Sequence, residues 1–180
     1  QLQFYLIDFK DGMEFEPYMK NLQIPHVKLI SRRNTLDDAY TILKKIIAIL
    51  ESRDKLMSEH GCKDINEYNT NYPDSSLPRL FIFIDEYQVM LEGNASNSDS
   101  RLINKCNTAL VDIVKRGRTA GISLILSSQA CVAGKDIKEQ VAHRVVFKSQ
   151  GVLDKLFDDI DSNAEEILKG SPKGTAYYTD

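Results

Sequence analysis

Apolar runs rich in β-branched and aromatic residues recur along the chain, separated by longer stretches of helical period. The strand candidates are 4–8, 27–31, 80–85, 123–128, 144–148 and 176–179. The run Leu80-Phe81-Ile82-Phe83-Ile84 is continuously apolar, which predicts burial on both faces, as in a parallel sheet. The longest helix is predicted over 36–60. Thr35 and Asp38 give it a capping-box-like start and Gly61 a stop. Its apolar residues Ala39, Ile42, Leu43, Ile46, Ile49, Leu50, Leu56 and Met57 recur on one face. A second helix, 100–116, carries Leu102, Ile103, Cys106, Leu110, Ile113 and Val114 on one side. Shorter helices are predicted over 135–141, 152–158 and 164–168, and loops over 69–78 and 92–100. Strands alternating with helices predict an α/β fold with a mainly parallel sheet.

Composition narrows the class. At 180 residues, 42% hydrophobic and 27% charged, the chain has the size and apolar content of one domain and is not disordered. A net charge of −3 excludes a uniformly basic nucleic-acid coat, though not a local basic site. Three cysteines, Cys62, Cys106 and Cys131, without a C-x-x-C pair read as reduced thiols in a cytosolic setting. No apolar run approaches the roughly 18–20 residues of a membrane helix, and no leader pattern precedes the first strand. The chain opens on Gln1 rather than a methionine, and Leu2 to Asp8 already reads as a core strand, so we expect a segment of something longer.

The sharpest chemical signal is Asp85-Glu86, two carboxylates closing a buried strand. In a parallel α/β sheet this is the edge where ligands bind. In phosphoryl-transfer enzymes the first such carboxylate serves the magnesium shell and the next can orient an attacking water. Taken alone, Asp85 equally caps a turn and Glu86 equally stands in solvent. The next strand ends in Ser127-Ser128-Gln129, which puts Gln129 on the same predicted edge as Asp85. Its bland alternative is an amide that satisfies loop backbone. Arg116 and Arg118 close the second helix, where a favourable dipole interaction also accounts for them.

The ordered set Ile7-Asp8-Phe9-Lys10, Ile24-Pro25-His26, Leu80 to Glu86, Arg116-Gly117-Arg118-Thr119-Ala120-Gly121-Ile122 and Leu124 to Gln129 resembles the FtsK/SpoIIIE family of motor ATPases. The closing Lys173-Gly174-Thr175-Ala176-Tyr177-Tyr178 resembles the end of that family's domain. The resemblance implies a RecA-like P-loop NTPase core of which residues 1–180 form the C-terminal portion, without its N-terminal strand and phosphate loop. It implies ATP and Mg2+ as ligands of the parent protein, with Asp85 on magnesium through water and Glu86 activating the attacking water. It further implies Gln129 as a γ-phosphate sensor and Arg118 as a finger into the neighbouring subunit of a ring, a hexamer by analogy. Arg116, Arg32 and Arg33 are alternatives for the finger. Asp8 and Lys10 match a family pair to which no chemistry is assigned.

Two departures matter. No G-x-x-x-x-G-K-[ST] phosphate loop occurs: Gly134-Lys135 is followed by Asp136, and Gln129 stands where the first glycine would be. In the family that loop lies just upstream of the strand at which this chain begins, so the chain alone is expected to be inactive. The second departure concerns the load. The family's DNA translocases follow the sensor with Arg-Pro, whereas Ala130-Cys131 follows here, and Asp8-Phe9-Lys10-Asp11-Gly12 is closer to type VII secretion ATPases. Lys135, Lys138 and Arg144 are the basic residues expected toward a phosphate backbone, opposed by Asp136 and Glu139. The expected function is ATP-driven translocation of double-stranded DNA, in chromosome segregation or DNA transfer. One alternative is secretion of a polypeptide; another, of a different class, is a non-catalytic docking module. The segment is expected to be cytoplasmic without membrane contact of its own, in a parent anchored to the bacterial inner membrane.

Overall fold

The computed structural model describes residues 1–9, 15–20, 24–31, 35–90, 97–129, 135–147 and 162–179. Two compact units, 1–129 and 130–180, divide the chain. In the first, β1 (Leu2–Asp8), β2 (Val27–Ser31), β3 (Arg79–Asp85) and β4 (Ile122–Leu126) form a wholly parallel sheet in the order β2-β1-β3-β4. Four α-helices belong to it among the described residues: α1 (Glu16–Lys20), α2 (Leu36–Glu59), α3 (Ile65–Asn71) and α4 (Asn97–Ala120), with a short 3-10 helix at Pro73–Ser75. A second 3-10 turn, Tyr87–Met90, follows β3 directly.

Local chemistry explains the long helices. Thr35 caps α2, its side chain accepting the Asp38 N–H at 3.2 Å, and Gly61 leaves the helix at φ +65°. The buried residues of α2 are Ala39, Ile42, Leu43, Ile46, Leu50, Arg53 and Met57, the stripe that its period predicts. It packs on α4, which packs on β4. Cys106 of α4 is fully buried, and burial, aided by Asp37, pushes its thiol up to about 11. A thiol in that state is a core group, not a nucleophile.

The register explains how the core divides. Ile7, Leu80, Ile82, Ile84 and Ile122 share one sheet face, and all five are buried. That face meets α4, because a Cβ on Gly117 would lie 2.6 Å from the Ile122 carbonyl oxygen and 3.5 Å from the Ile122 Cβ. On the other face Phe4 lies 6.0 Å from Phe81 and 6.1 Å from Phe83, ring to ring, and all three are half-buried. The expected burial of β3 on both faces is therefore complete on the helix side only.

Further differences from the sequence reading are local. Residues 69–71 finish α3 and 73–75 make a 3-10 turn, inside a span expected to be loop. Helix α4 extends the 100–116 helix to Asn97–Ala120. The helix expected over 152–158 lies outside the described residues. The second unit contains α5 (Lys135–Gln140), β5 (Arg144–Phe147), α6 (Ser162–Gly170) and β6 (Ala176–Thr179). Strands β5 and β6 pair antiparallel, Val145 opposite Tyr178, with Val146, Ile137 and Leu168 buried. No helix among the described residues is long and apolar enough to cross a membrane.

Candidate functional site

Three strands end together at the carboxyl edge of the sheet, and their last residues build the site. Asp8 and Asp85 are register partners on adjacent parallel strands, on the same face. The backbone ladder continues past the strands. The Phe9 N–H donates to the Asp85 carbonyl at 3.3 Å, Ser127 to Ile84 at 3.0 Å, and Tyr87 to Ser127 at 3.1 Å. This ladder ties the turn after β3 to the tip of β4, so the side chains there are held on a common frame.

Asp8 is 1% exposed and Glu86 6% exposed, whereas Asp85 is half-buried. The Ser127 hydroxyl donates to Oδ1 of Asp85. Both oxygens of Glu86 accept an amide: Oε1 from Nε2 of Gln129, Oε2 from Nε2 of Gln88. Glu86 itself has φ +52°, the left-handed region that a side chain disfavours by roughly 1–2 kcal/mol. A non-glycine residue held there next to a ligand edge is the kind of strain that functional sites store. The 3-10 turn locks it, with the Val89 N–H donating to the Glu86 carbonyl at 3.0 Å.

The sequence-predicted residues thus fall into three groups. Asp85, Glu86, Gln129 and Asp8 converge. Arg118 does not join them. It is exposed in the last turn of α4, and the chain then turns through Gly121 at φ +69° into β4. The Gly121 carbonyl accepts the Leu80 N–H at 2.9 Å, so this end of α4 sits where β3 begins. Asp85 is five residues further along β3, about 16 Å away at roughly 3.3 Å per residue. Arg116 is engaged elsewhere, donating to Asp54 at 2.6 Å and to Asp112 at 2.8 Å, and these bonds raise its pKa. Lys135 and Lys138 lie on α5 and half-buried Arg144 opens β5, in the second unit. Lys10, Arg32 and Arg33 lie outside the described residues.

Sequence reasoning missed Gln88 and the hydroxyl of Ser127. The available signals were an amide two places after an acidic pair, inside the otherwise apolar Tyr87–Met90 turn, and a serine two places before Gln129. The two glycines of Arg116-Gly117-Arg118-Thr119-Ala120-Gly121 are accounted for by packing. A Cβ on Gly121 would fall 2.5 Å from Ile65 Cδ1, as one on Gly117 would meet Ile122.

Chemically, the edge offers oxygen donors to a hard cation and an oriented carboxylate to a water molecule. Asp85, half-buried with one oxygen taken by Ser127, fits magnesium, which retains several waters and uses one or two carboxylates beside phosphate oxygens.

Comparison with known proteins agrees with this architecture. The chain is 32% identical over 175 residues to the type VII secretion system protein EssC of Staphylococcus aureus (strain NCTC 8325 / PS 47), covering 94% of this chain and 10% of EssC. It is 24% identical over 176 residues to the DNA translocase FtsK of Chlorobaculum tepidum, covering 93% of this chain and 21% of that protein. The chain thus spans about a tenth of the length of the EssC relatives it matches. Among solved structures, the pCW3 conjugation coupling protein TcpA, in monomer form with ATPγS, superposes with a TM-score of 0.75 at 23% identity. That match covers 99% of this chain and 49% of TcpA. EssC (ATPases 2 and 3) from Geobacillus thermodenitrificans gives 0.70 at 19% identity, over 99% of this chain and 33% of that one. The two superpositions bear on the fold alone. The FtsK/SpoIIIE family model matches residues 1–114, more than half the chain, and the chain belongs to the FtsK/SpoIIIE family.

Proposed function

We propose that this chain is the C-terminal portion of one ATPase domain in a ring-shaped motor that hydrolyses ATP to move a polymer. The observation that carries the reading is the meeting of Asp85, Glu86 and Gln129 at one sheet edge. Glu86 orients and polarises the water that attacks the γ-phosphate. Gln129, with two N–H donors, reports the phosphate to Glu86 through the bond it makes there. Asp85 is the residue that would hold magnesium, through water, and the chemistry magnesium would supply there is neutralisation of phosphate charge. Arg118, at the far end of the sheet from its own Asp85, serves the nucleotide of a neighbouring subunit.

Mixed rings test this arrangement. In the full-length protein, Arg118→Ala and Glu86→Gln each lower turnover steeply when present alone. Co-assembly of the two variants restores part of it, because some interfaces then combine an intact Glu86 with an intact Arg118. No restoration at any mixing ratio would count against a finger acting in trans.

The load we assign is double-stranded DNA, a reading supported by the likeness to a relative named as a DNA translocase. The second reading is a secreted polypeptide, favoured by the 32% identity to EssC and by Ala130-Cys131 after the sensor. In either case the parent is taken to be anchored at the bacterial inner membrane, with this segment on the cytoplasmic side.

A further inference from the structure

We infer that Gln88 is a positioning residue for the water-activating carboxylate; the inference rests on the reading of Glu86 as the base. Gln88 is 6% exposed and donates Nε2 to Oε2 of Glu86. An ionised carboxylate only accepts, so the amide must present nitrogen to it and turn its oxygen away. Oε1 of Gln88 is buried without a hydrogen-bonding partner among the described residues. A buried orphan acceptor is costly, and an apolar side chain of the same length would avoid that cost. What the amide provides in return is the donor to Glu86.

The two amides on Glu86 differ in how they are held. Gln129 is exposed, at the tip beyond β4, and its other proposed duty is to reach a phosphate. Gln88 is buried in the 3-10 turn that begins one residue after Glu86, and the bond from Tyr87 to Ser127 pins that turn to the sheet. When Gln129 turns to the phosphate, Gln88 keeps the carboxylate in place. Gln88 therefore acts on the rate of the chemical step and not on nucleotide affinity.

The experiment uses the full-length protein, with ATP hydrolysis read in steady state and in single turnover. Gln88→Met keeps the side-chain length and removes both the donor and the orphan acceptor. It should lower kcat about tenfold and leave KM for ATP within about twofold. In a Glu86→Gln background the same change should cost less than about twofold, since a group that acts only through Glu86 has nothing left to position. A kcat within twofold of wild type, or an equal loss in both backgrounds, overturns the inference. Full turnover in Glu86→Gln itself would overturn the base assignment and this inference with it. A dead Glu86→Gln beside an unaffected Gln88→Met would overturn the inference alone.

Discussion

Arg53→Met should be among the most damaging single changes to the stability of this chain, although it touches no residue of the site. Arg53 of α2 is 7% exposed and donates Nη1 to the Ala120 carbonyl and Nη2 to the Pro78 carbonyl, each at 2.7 Å. It thereby closes the end of α4 and the entry to β3 with one side chain. A hydrogen bond to a charged group contributes about 1.5–3 kcal/mol, so two contribute about 3–6 kcal/mol. Opposing them is the desolvation of the guanidinium, which depresses its pKa and which methionine would relieve. The net expected loss is about 2–4 kcal/mol. With an m-value near 2 kcal/mol/M, the urea midpoint of the 180-residue chain falls by about 1–2 M, followed by far-UV circular dichroism. Arg116→Ala is the control. That residue has two ion pairs where Arg53 has none among the described residues, but its side chain is 39% exposed, and solvent screening limits the loss to under about 1 kcal/mol. Added salt should shrink the Arg116 effect and leave the Arg53 effect unchanged. A midpoint for Arg53→Met within 0.3 M of wild type (about 0.6 kcal/mol at that m-value), or a larger loss in Arg116→Ala, would refute the reasoning that burial and not ion-pair count decides.

Three further outcomes follow from the same geometry. Gly117→Ala, which in an exposed helix would stabilise, should here cost about 1–3 kcal/mol, because the new Cβ would press on the Ile122 backbone oxygen at 2.6 Å; an unchanged urea midpoint would count against that packing. The 180-residue chain by itself should not bind Mg-ATP tightly, since it has no phosphate-loop backbone or lysine; calorimetry returning a micromolar dissociation constant would reveal a phosphate cradle elsewhere. Turnover by the full-length protein should rise with duplex DNA, and DNA binding should weaken steeply with salt as counterions are released; turnover indifferent to DNA at low salt would move the assignment to a polypeptide load.

The sheet was legible because its signals are local and redundant. The continuous apolar run ending in Asp85-Glu86 predicts an inner strand, as β3 is, and β2 and β6 run over the same residues that their patterns predict. Helix α2 announces itself through Thr35, Asp38 and Gly61. The ends of α4 were harder. Its first turn is polar and reads as loop, and the helix predicted to end at 116 runs on through Gly117, whose missing side chain admits Ile122. Helix α3 has an N-cap in Asp64, which accepts the Asn66 and Glu67 N–H groups at 2.8 and 2.9 Å, but Ile65 and Tyr68 are too few to show a period. Convergence of Asp85 and Gln129 was readable from topology, since the carboxyl ends of parallel strands share an edge. The Gln88 contact was not, because it depends on the left-handed turn at Glu86, a conformation that no local residue preference announces.

The central claim is that the edge formed by Asp85, Glu86 and Gln129 hydrolyses ATP with Glu86 as its base. The most direct test measures ATP binding and ATP hydrolysis side by side in the full-length protein carrying Glu86→Gln. Nucleotide affinity should stay close to that of the wild type and turnover should fall by about 10²–10⁴-fold, the range a general base contributes. Wild-type turnover in that variant would contradict the claim.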